Sequence, residues 1–116
     1  MKLLTFALLG VVATVSADYS GKFEDFDVPK LFADEGRLRS IIDCFLEEDS
    51  CTEEEQSLKD VVTESVRDKC ARCSVKQEQG LLEAIKRMSQ KDPEILNVIL
   101  QRFDPTGEFK AIYLKT

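Results

Sequence analysis

The chain has 116 residues, 22 of them acidic and 16 basic, and its formal net charge is −6. A balance this acidic argues against binding to nucleic acid, whose phosphates select basic surfaces. The length suits one domain with a modest core, close to the size at which small folds need covalent staples.

Residues 1–17 have the layout of a secretory signal peptide. A single positive charge at Lys2 precedes a short apolar run, and small residues end the run at Ala17. The run is too short and too early for a membrane span, and a buried N-terminal helix is the alternative. We therefore expect cleavage after Ala17, one mature domain over residues 18–116, and a soluble product that is secreted into the extracellular space.

Helix signals recur after a polar lead, and strand signals are nearly absent. Apolar side chains repeat at i, i+3, i+4 and i+7, which places them on one helix face. Start signals precede these stripes at Asp34, at Thr52 with Glu55, at Ser74 with Gln77, and at Asp92 with Pro93. The pattern predicts an all-α domain of five or six helices joined by short loops. The apolar arc after Pro93 is unusually wide, which predicts a deeply buried helix.

The four cysteines follow the predicted signal peptide and would meet an oxidising environment, so disulfides are the default interpretation. A thioredoxin-like redox centre at Cys70 and Cys73 needs a helix beside a parallel sheet, and no strand is predicted. Zinc would need all four thiolates, because the chain has no histidine. The gap between Cys44 and Cys51 is also longer than the usual ligand spacing.

Three pairings of the four cysteines are possible. Loop closure favours a crossed bond, since about thirty closed residues give roughly 3.7 kcal/mol and the two local loops roughly 2.5 and 1.9 kcal/mol. Helix geometry favours the local pairs, because each flanks a corner between consecutive helices. We predict the bonds Cys44–Cys51 and Cys70–Cys73, which would leave the contacts between helices to apolar packing alone.

The spacing C-x6-C-x18-C-x2-C, in a small, acidic and helical chain with a signal peptide, resembles insect chemosensory proteins of the OS-D (A10) type. The resemblance covers nearly all of residues 18–116. It is carried by the cysteine positions, the Cys51-Thr52 step into a helix, and the segments CARCSVKQEQG and RFDPTGEFK. It implies a compact bundle of about six short helices with two local disulfides. It also implies an internal apolar channel for long-chain lipids, semiochemicals or pheromone-like compounds.

The apolar stripes supply the candidate ligand-binding residues. Core packing is the ordinary role of such residues, and the resemblance adds the expectation that some of them line a channel. Met88 suits an adaptable wall, because its unbranched thioether can repack around different guests. No cluster of inward basic residues that would select a carboxylate is evident. The candidate residues are Leu38, Ile41, Ile42, Leu58, Val62, Ile85, Met88, Leu96, Ile99 and Leu100.

Catalysis, a cofactor and a metal site are not predicted. The chain has no histidine to act as a base, its serines lack the G-x-S-x-G context, and its cysteines are assigned to disulfides. The run EEDSCTEEE could suggest a cation site, but it lacks the residue order of a calcium loop. Acidic residues at a helix start are favoured by the helix dipole, so we interpret the run as a solvated helix start.

Two functions are compatible with these features. The first is a secreted, monomeric carrier that takes up a small hydrophobic ligand and passes it to a receptor or membrane acceptor. The alternative is a secreted developmental or immune factor that acts through a protein partner. An internal channel would favour the carrier, and an exposed apolar patch would favour the alternative.

Overall fold

The computed structural model describes residues 22–47 and 50–114, so the predicted signal peptide lies outside the described residues. This part of the chain is helical and has no strand, which confirms the predicted all-α class with about six helices. The helices are α1 (Val28–Ala33), α2 (Glu35–Leu46), α3 (Glu53–Arg67), α4 (Val75–Lys91), α5 (Pro93–Phe103) and α6 (Glu108–Tyr113).

Side-chain caps begin the longer helices at the residues that the sequence predicts. At the start of α3, the Glu55 backbone N–H donates to Thr52 Oγ1 at 3.1 Å, and the Thr52 N–H donates to Glu55 Oε1 at 3.0 Å. Ser74 and Gln77 form the same reciprocal pair at the start of α4. Aspartate side chains cap α2 and α5. These bonds satisfy N–H groups that a helix start leaves without a partner, and so fix where each helix begins.

Each disulfide joins two residues at one corner of the bundle. Cys44 in α2 is bonded to Cys51, just before α3, with the Cα atoms 4.6 Å apart. Cys70 and Cys73 close the turn between α3 and α4, with the Cα atoms 4.8 Å apart. The predicted fold with two local disulfides is confirmed. Because these bonds use all four cysteines, the packing of the helices on one another depends on side-chain contacts.

The carboxyl end of α2 is tied to two other helices. Lys59 of α3 donates its ammonium to the Cys44 carbonyl at 3.2 Å, and Arg102 of α5 donates to the Leu46 carbonyl. The last carbonyls of a helix have no partner within it, and the helix dipole favours positive charge there. These bonds position α2, which carries three of the candidate residues, against α3 and α5.

Two apolar clusters hold the bundle together. The first joins α1 to α2, and the second joins α3, α5 and α6. Their buried members are Leu31, Leu38 and Ile41 in the first, and Val66, Phe103 and Phe109 in the second. Phe45 of α2 packs against both clusters and stacks on the Phe103 ring, with the centroids 5.6 Å apart. Phe45 therefore connects the two halves of the bundle.

Helix α5 is less buried than its wide apolar arc predicts. Phe103 is its one buried residue, and Val98 leaves 41% of its surface exposed. Leu96, Ile99 and Leu100 are half-buried because they border a cavity. The wide arc marks a cavity wall here and not a solid core.

Helix α6 is anchored at both of its ends. Gly107 has a φ of 78°, a left-handed conformation that suits glycine, and it turns the chain into α6. Asp104 accepts hydrogen bonds from two backbone N–H groups, including that of Phe109 at 3.1 Å. At the other end, the Tyr113 hydroxyl donates to the Lys69 carbonyl at 2.9 Å. The helix is thereby held against the turn that carries the second disulfide.

A charge-assisted hydrogen bond links α2 to α3. The Ser40 hydroxyl donates to Glu55 Oε2 at 2.5 Å. This bond, and then the Thr52 backbone N–H, lowers the pKa of Glu55 below its ordinary value of 4.5, because both donors favour the carboxylate. A pKa that is lower in the folded state means that the carboxylate stabilises the fold above the unfolded-state value. That stabilisation is lost as the pH falls through the folded-state pKa.

Glu55→Gln is therefore expected to reduce the free energy of unfolding at neutral pH and to reduce it less below pH 4.5. We expect a loss of no more than about 1 kcal/mol, because solvent screens this carboxylate. Urea unfolding followed by far-UV circular dichroism at both pH values measures the difference. Glu54→Gln, in the same first turn, is the matched control. A loss for Glu55→Gln that does not change with pH would contradict the role of its charge.

Candidate functional site

An apolar cavity of about 180 Å³ lies between the helices. It is far larger than a packing defect, since the space for one water is only about 10–15 Å³. Its wall is built by α1, α2, α3, α4 and α5 together with residues 22–26, which precede α1. We call residues 22–26 the N-terminal turn.

All ten candidate residues border this cavity. Three lie on α2, two on α3, two on α4 and three on α5, and on each helix they share one face as the helical period requires. In chain order they are Leu38, Ile41, Ile42, Leu58, Val62, Ile85, Met88, Leu96, Ile99 and Leu100. The structure thus brings the whole set together, and contact with a ligand stays a prediction.

The sequence-based selection missed the aromatic residues of the cavity wall. Phe23 and Phe26 come from the N-terminal turn, within a segment that the sequence pattern predicts only as a polar lead. Their rings meet edge to face with the centroids 6.2 Å apart, and the Arg37 guanidinium lies 5.3 Å from the centre of the Phe26 ring. Phe32 and Phe45 also border the cavity. The spacing of Phe23 and Phe26 was the one available signal, and it lies outside any predicted helix.

Few polar side chains border the cavity, and most of them lie at one end. The five are Lys22, Glu24, Ser65, Lys76 and Gln77. Ser65 is buried, and its hydroxyl donates to the Val61 carbonyl within α3 at 2.8 Å. The other four belong to the N-terminal turn and the first turn of α4. The expectation that basic residues are absent from the wall needs correction at this end, which two lysines border.

Two contacts hold the N-terminal turn to α4. Gln77 Nε2 donates to the Lys22 carbonyl at 2.9 Å. The Lys76 ammonium lies 3.8 Å from the Asp25 carboxylate. Both partners in the ion pair are largely exposed, so the pair adds little stability. The hydrogen bond from the buried Gln77 is therefore the main polar link between the two segments.

The lining suits the binding of an apolar molecule. Apolar surface removed from water contributes roughly 25 cal/mol per Å², and the wall has few polar groups that would lose their hydration. Met88 is 6% exposed and borders the cavity, where its flexible thioether can adapt to a guest. The single hydroxyl of an aliphatic side chain in the wall, that of Ser65, is already bonded to its own helix.

The acidic residues at the start of α3 act on the helix itself. Three glutamates occupy its first turn, where the dipole favours negative charge, and one of them completes the capping box. Within residues 22–47 and 50–114, acidic and cysteine side chains form no group of three or more placed to hold a metal ion. The same part of the chain contains no helix with the length and apolar character needed to cross a membrane.

The fold is similar to that of solved chemosensory proteins. A chemosensory protein in complex with bromo-dodecanol superimposes with a TM-score of 0.72 at 24% sequence identity, covering 83% of this chain and 96% of that one. Antennal chemosensory protein A6 from the moth Mamestra brassicae gives a TM-score of 0.67 at 24% identity, covering 80% of this chain and 86% of that one.

Sequence comparison points to the same group of proteins. Allergen Tha p 1 of Thaumetopoea pityocampa is 29% identical over 116 residues, covering 97% of this chain and 92% of that protein. Ejaculatory bulb-specific protein 3 of Drosophila melanogaster is 25% identical over 114 residues, covering 97% and 87%. The family description "Insect pheromone-binding family, A10/OS-D" matches residues 19–111. Since this match spans most of the chain, the protein belongs to the insect A10/OS-D pheromone-binding family.

Proposed function

We propose that the protein is a secreted, soluble carrier that binds a small hydrophobic molecule in its cavity. The observation that carries the proposal is the cavity itself, with an apolar wall built by five helices. A protein of similar fold holds bromo-dodecanol, which supports long-chain lipids, semiochemicals or pheromone-like compounds as the cargo. The carrier acts as a monomer without a cofactor and transfers its cargo, chemically unchanged, to a receptor or membrane acceptor.

Physical chemistry explains how such a carrier works. An apolar molecule gains free energy when its surface leaves water, so a preformed apolar cavity takes it up without any covalent step. The formal net charge of −6 keeps the loaded protein in solution, because like-charged molecules repel one another. The cargo can leave again because the helices around it are held mainly by side-chain packing.

The alternative, a developmental or immune factor acting through a protein partner, has less support. Among the described residues three large apolar side chains are exposed, Val75, Val98 and Ile112. They lie on three different helices, α4, α5 and α6. An apolar docking surface normally needs a contiguous patch of several hundred Å². The cavity therefore favours the carrier.

Ala84→Phe is expected to block the cavity. Ala84 borders it from α4, so a phenyl ring at this position would occupy space that a ligand needs. We expect the affinity for dodecanol to fall at least tenfold, to an order of magnitude given by the 1–3 kcal/mol cost of overpacking. Displacement of an apolar fluorescent probe from the protein measures this affinity.

Ala111→Phe makes the same change on the exposed side of α6, away from the cavity, and should bind as the parent protein does. Far-UV circular dichroism confirms that both variants are folded. A folded Ala84→Phe protein with unchanged affinity would exclude this cavity as the binding site. A parent protein that takes up neither the probe nor dodecanol would contradict the carrier function.

A further inference from the structure

The two ends of the cavity differ in their access to water. Helix α4 borders the cavity from Lys76 to Met88, a length of about 18 Å at 1.5 Å per residue. The Lys76 side chain is 65% exposed, whereas Met88 is 6% exposed. The wall therefore runs from a hydrated end at the start of α4 to a dry end near its last turn.

The polar groups of the wall follow the same direction. At the hydrated end, Lys22 and Lys76 carry ammonium groups and Glu24 carries a carboxylate, so donors and an acceptor are both within this rim. The hydrogen bond from Gln77 to the Lys22 carbonyl keeps the N-terminal turn over this end of α4. A polar head group placed here keeps its water and gains partners of either kind.

The dry end offers no comparable partner. Met88 of α4 and Leu96 of α5 border the cavity on either side of the corner between these helices. The charged residue at that corner, Asp92, is not part of the wall, and its carboxylate accepts from the Ile95 backbone N–H at 3.2 Å as the cap of α5. A hydroxyl or carboxylate buried at this end would lose its hydration without a replacement bond.

We propose that the cavity holds a single-chain amphiphile in one orientation, with its polar head between the N-terminal turn and the first turn of α4, and its alkyl end against Met88 and Leu96. The inference rests on the proposed carrier function and adds the class of ligand to it. That class is a long chain with one terminal hydroxyl or carboxylate. The orientation follows from where a polar group can stay hydrated.

The position of the polar group along the chain tests the ligand class. A primary alcohol can place its hydroxyl at the hydrated end, whereas an isomer with the hydroxyl at mid-chain must bury it among apolar side chains. Dodecan-6-ol should therefore bind about 5- to 100-fold more weakly than dodecan-1-ol, the range expected for an unsatisfied buried hydroxyl. Probe displacement measures both affinities. Equal affinities for the two isomers would overturn the proposed class.

Tryptophan reporters test the orientation directly, because the chain contains no tryptophan. Val75→Trp and Ser89→Trp place a single reporter at exposed positions near the two ends. The two positions are about four turns apart on the same side of α4 at 3.6 residues per turn. They therefore differ mainly in their height along the cavity. Stearic acids carrying a nitroxide either near the carboxylate or near the methyl end serve as quenchers.

The nitroxide near the carboxylate should quench Val75→Trp at least twofold more than Ser89→Trp, and the nitroxide near the methyl end should show the reverse order. Equal quenching of both reporters, or the opposite order, would overturn the orientation while leaving the carrier function intact, provided that both acids displace the fluorescent probe. If neither acid displaces the probe from the parent protein, the carrier function and this inference fail together.

Discussion

Phe109→Ala is expected to destabilise the protein by about 3–5 kcal/mol, the range for removing a buried phenylalanine ring. The Phe109 side chain is fully buried in the cluster with Val66 and Phe103, and its ring centroid lies 4.7 Å from that of Tyr113. Truncation removes the transfer free energy of the ring and leaves a void beside the cluster. A loss of this size is a large part of the 5–15 kcal/mol typical of a domain. Urea unfolding followed by far-UV circular dichroism measures it.

Ile112→Ala on the same helix is the matched control. This side chain is 52% exposed, so its truncation should change the free energy of unfolding by no more than about 0.5 kcal/mol. If Phe109→Ala costs less than about 1 kcal/mol, the ring does not anchor α6. The stability of the bundle would then have to depend on α1 to α5 alone.

The helix starts were predictable because their cause is local. In the capping boxes of Thr52 with Glu55 and Ser74 with Gln77, four consecutive residues satisfy each other's N–H groups. Such bonds depend little on how the rest of the chain folds. The same holds for the disulfides, since each pair flanks a corner that the caps define. Local chemistry therefore predicts the six-helix order and the cross-links.

The N-terminal turn could not be predicted because its conformation depends on distant contacts. Phe23 has a φ of 60°, a left-handed conformation that costs an ordinary residue roughly 1–2 kcal/mol. Contact of its ring with Phe26 and the hydrogen bond from Gln77 to Lys22 accompany this conformation. Gln77 is more than fifty residues away along the chain. A local reading of DYSGKFEDFD shows only polar residues interrupted by phenylalanine.

The difference between a cavity wall and a solid core is also hidden from the sequence. Leu38 and Ile41 belong to a buried cluster and also border the cavity. Leu96 and Ile99 border the cavity from a helix that the apolar pattern predicts to be deeply buried. Helical periodicity identifies the face that avoids water. Whether that face meets other side chains or an open space depends on how five helices fit together.

The geometry of the cross-links bears on how the cavity accommodates a ligand. Each disulfide spans a single corner, so apolar packing alone controls how far the helices that form the wall can separate. Apolar contacts are not directional, and they can re-form around guests of different shape. Met88 adds a flexible side chain to the same wall. We therefore expect selectivity for the length of the alkyl chain before selectivity for chemical detail.

Affinity is expected to rise with chain length across a series of saturated primary alcohols from octanol to hexadecanol. Each methylene that enters an apolar wall contributes up to about 0.8 kcal/mol, which is about fourfold in affinity. The ordering of a flexible chain on binding reduces this increment. The rise should stop when the cavity is full, because further methylenes stay in water. Displacement of a fluorescent probe, or calorimetry, measures the series.

Fatty acids of matched length are the control for the head group. The head group lies where water and exposed lysines surround it in the proposed orientation, so an acid and its alcohol should differ by less than about tenfold, as exposed ion pairs contribute little. An affinity that stays flat from octanol to hexadecanol would remove burial in the cavity as the source of binding. An acid that binds a hundredfold better than its alcohol would require a desolvated cation, because Lys76 is too exposed to supply such a preference.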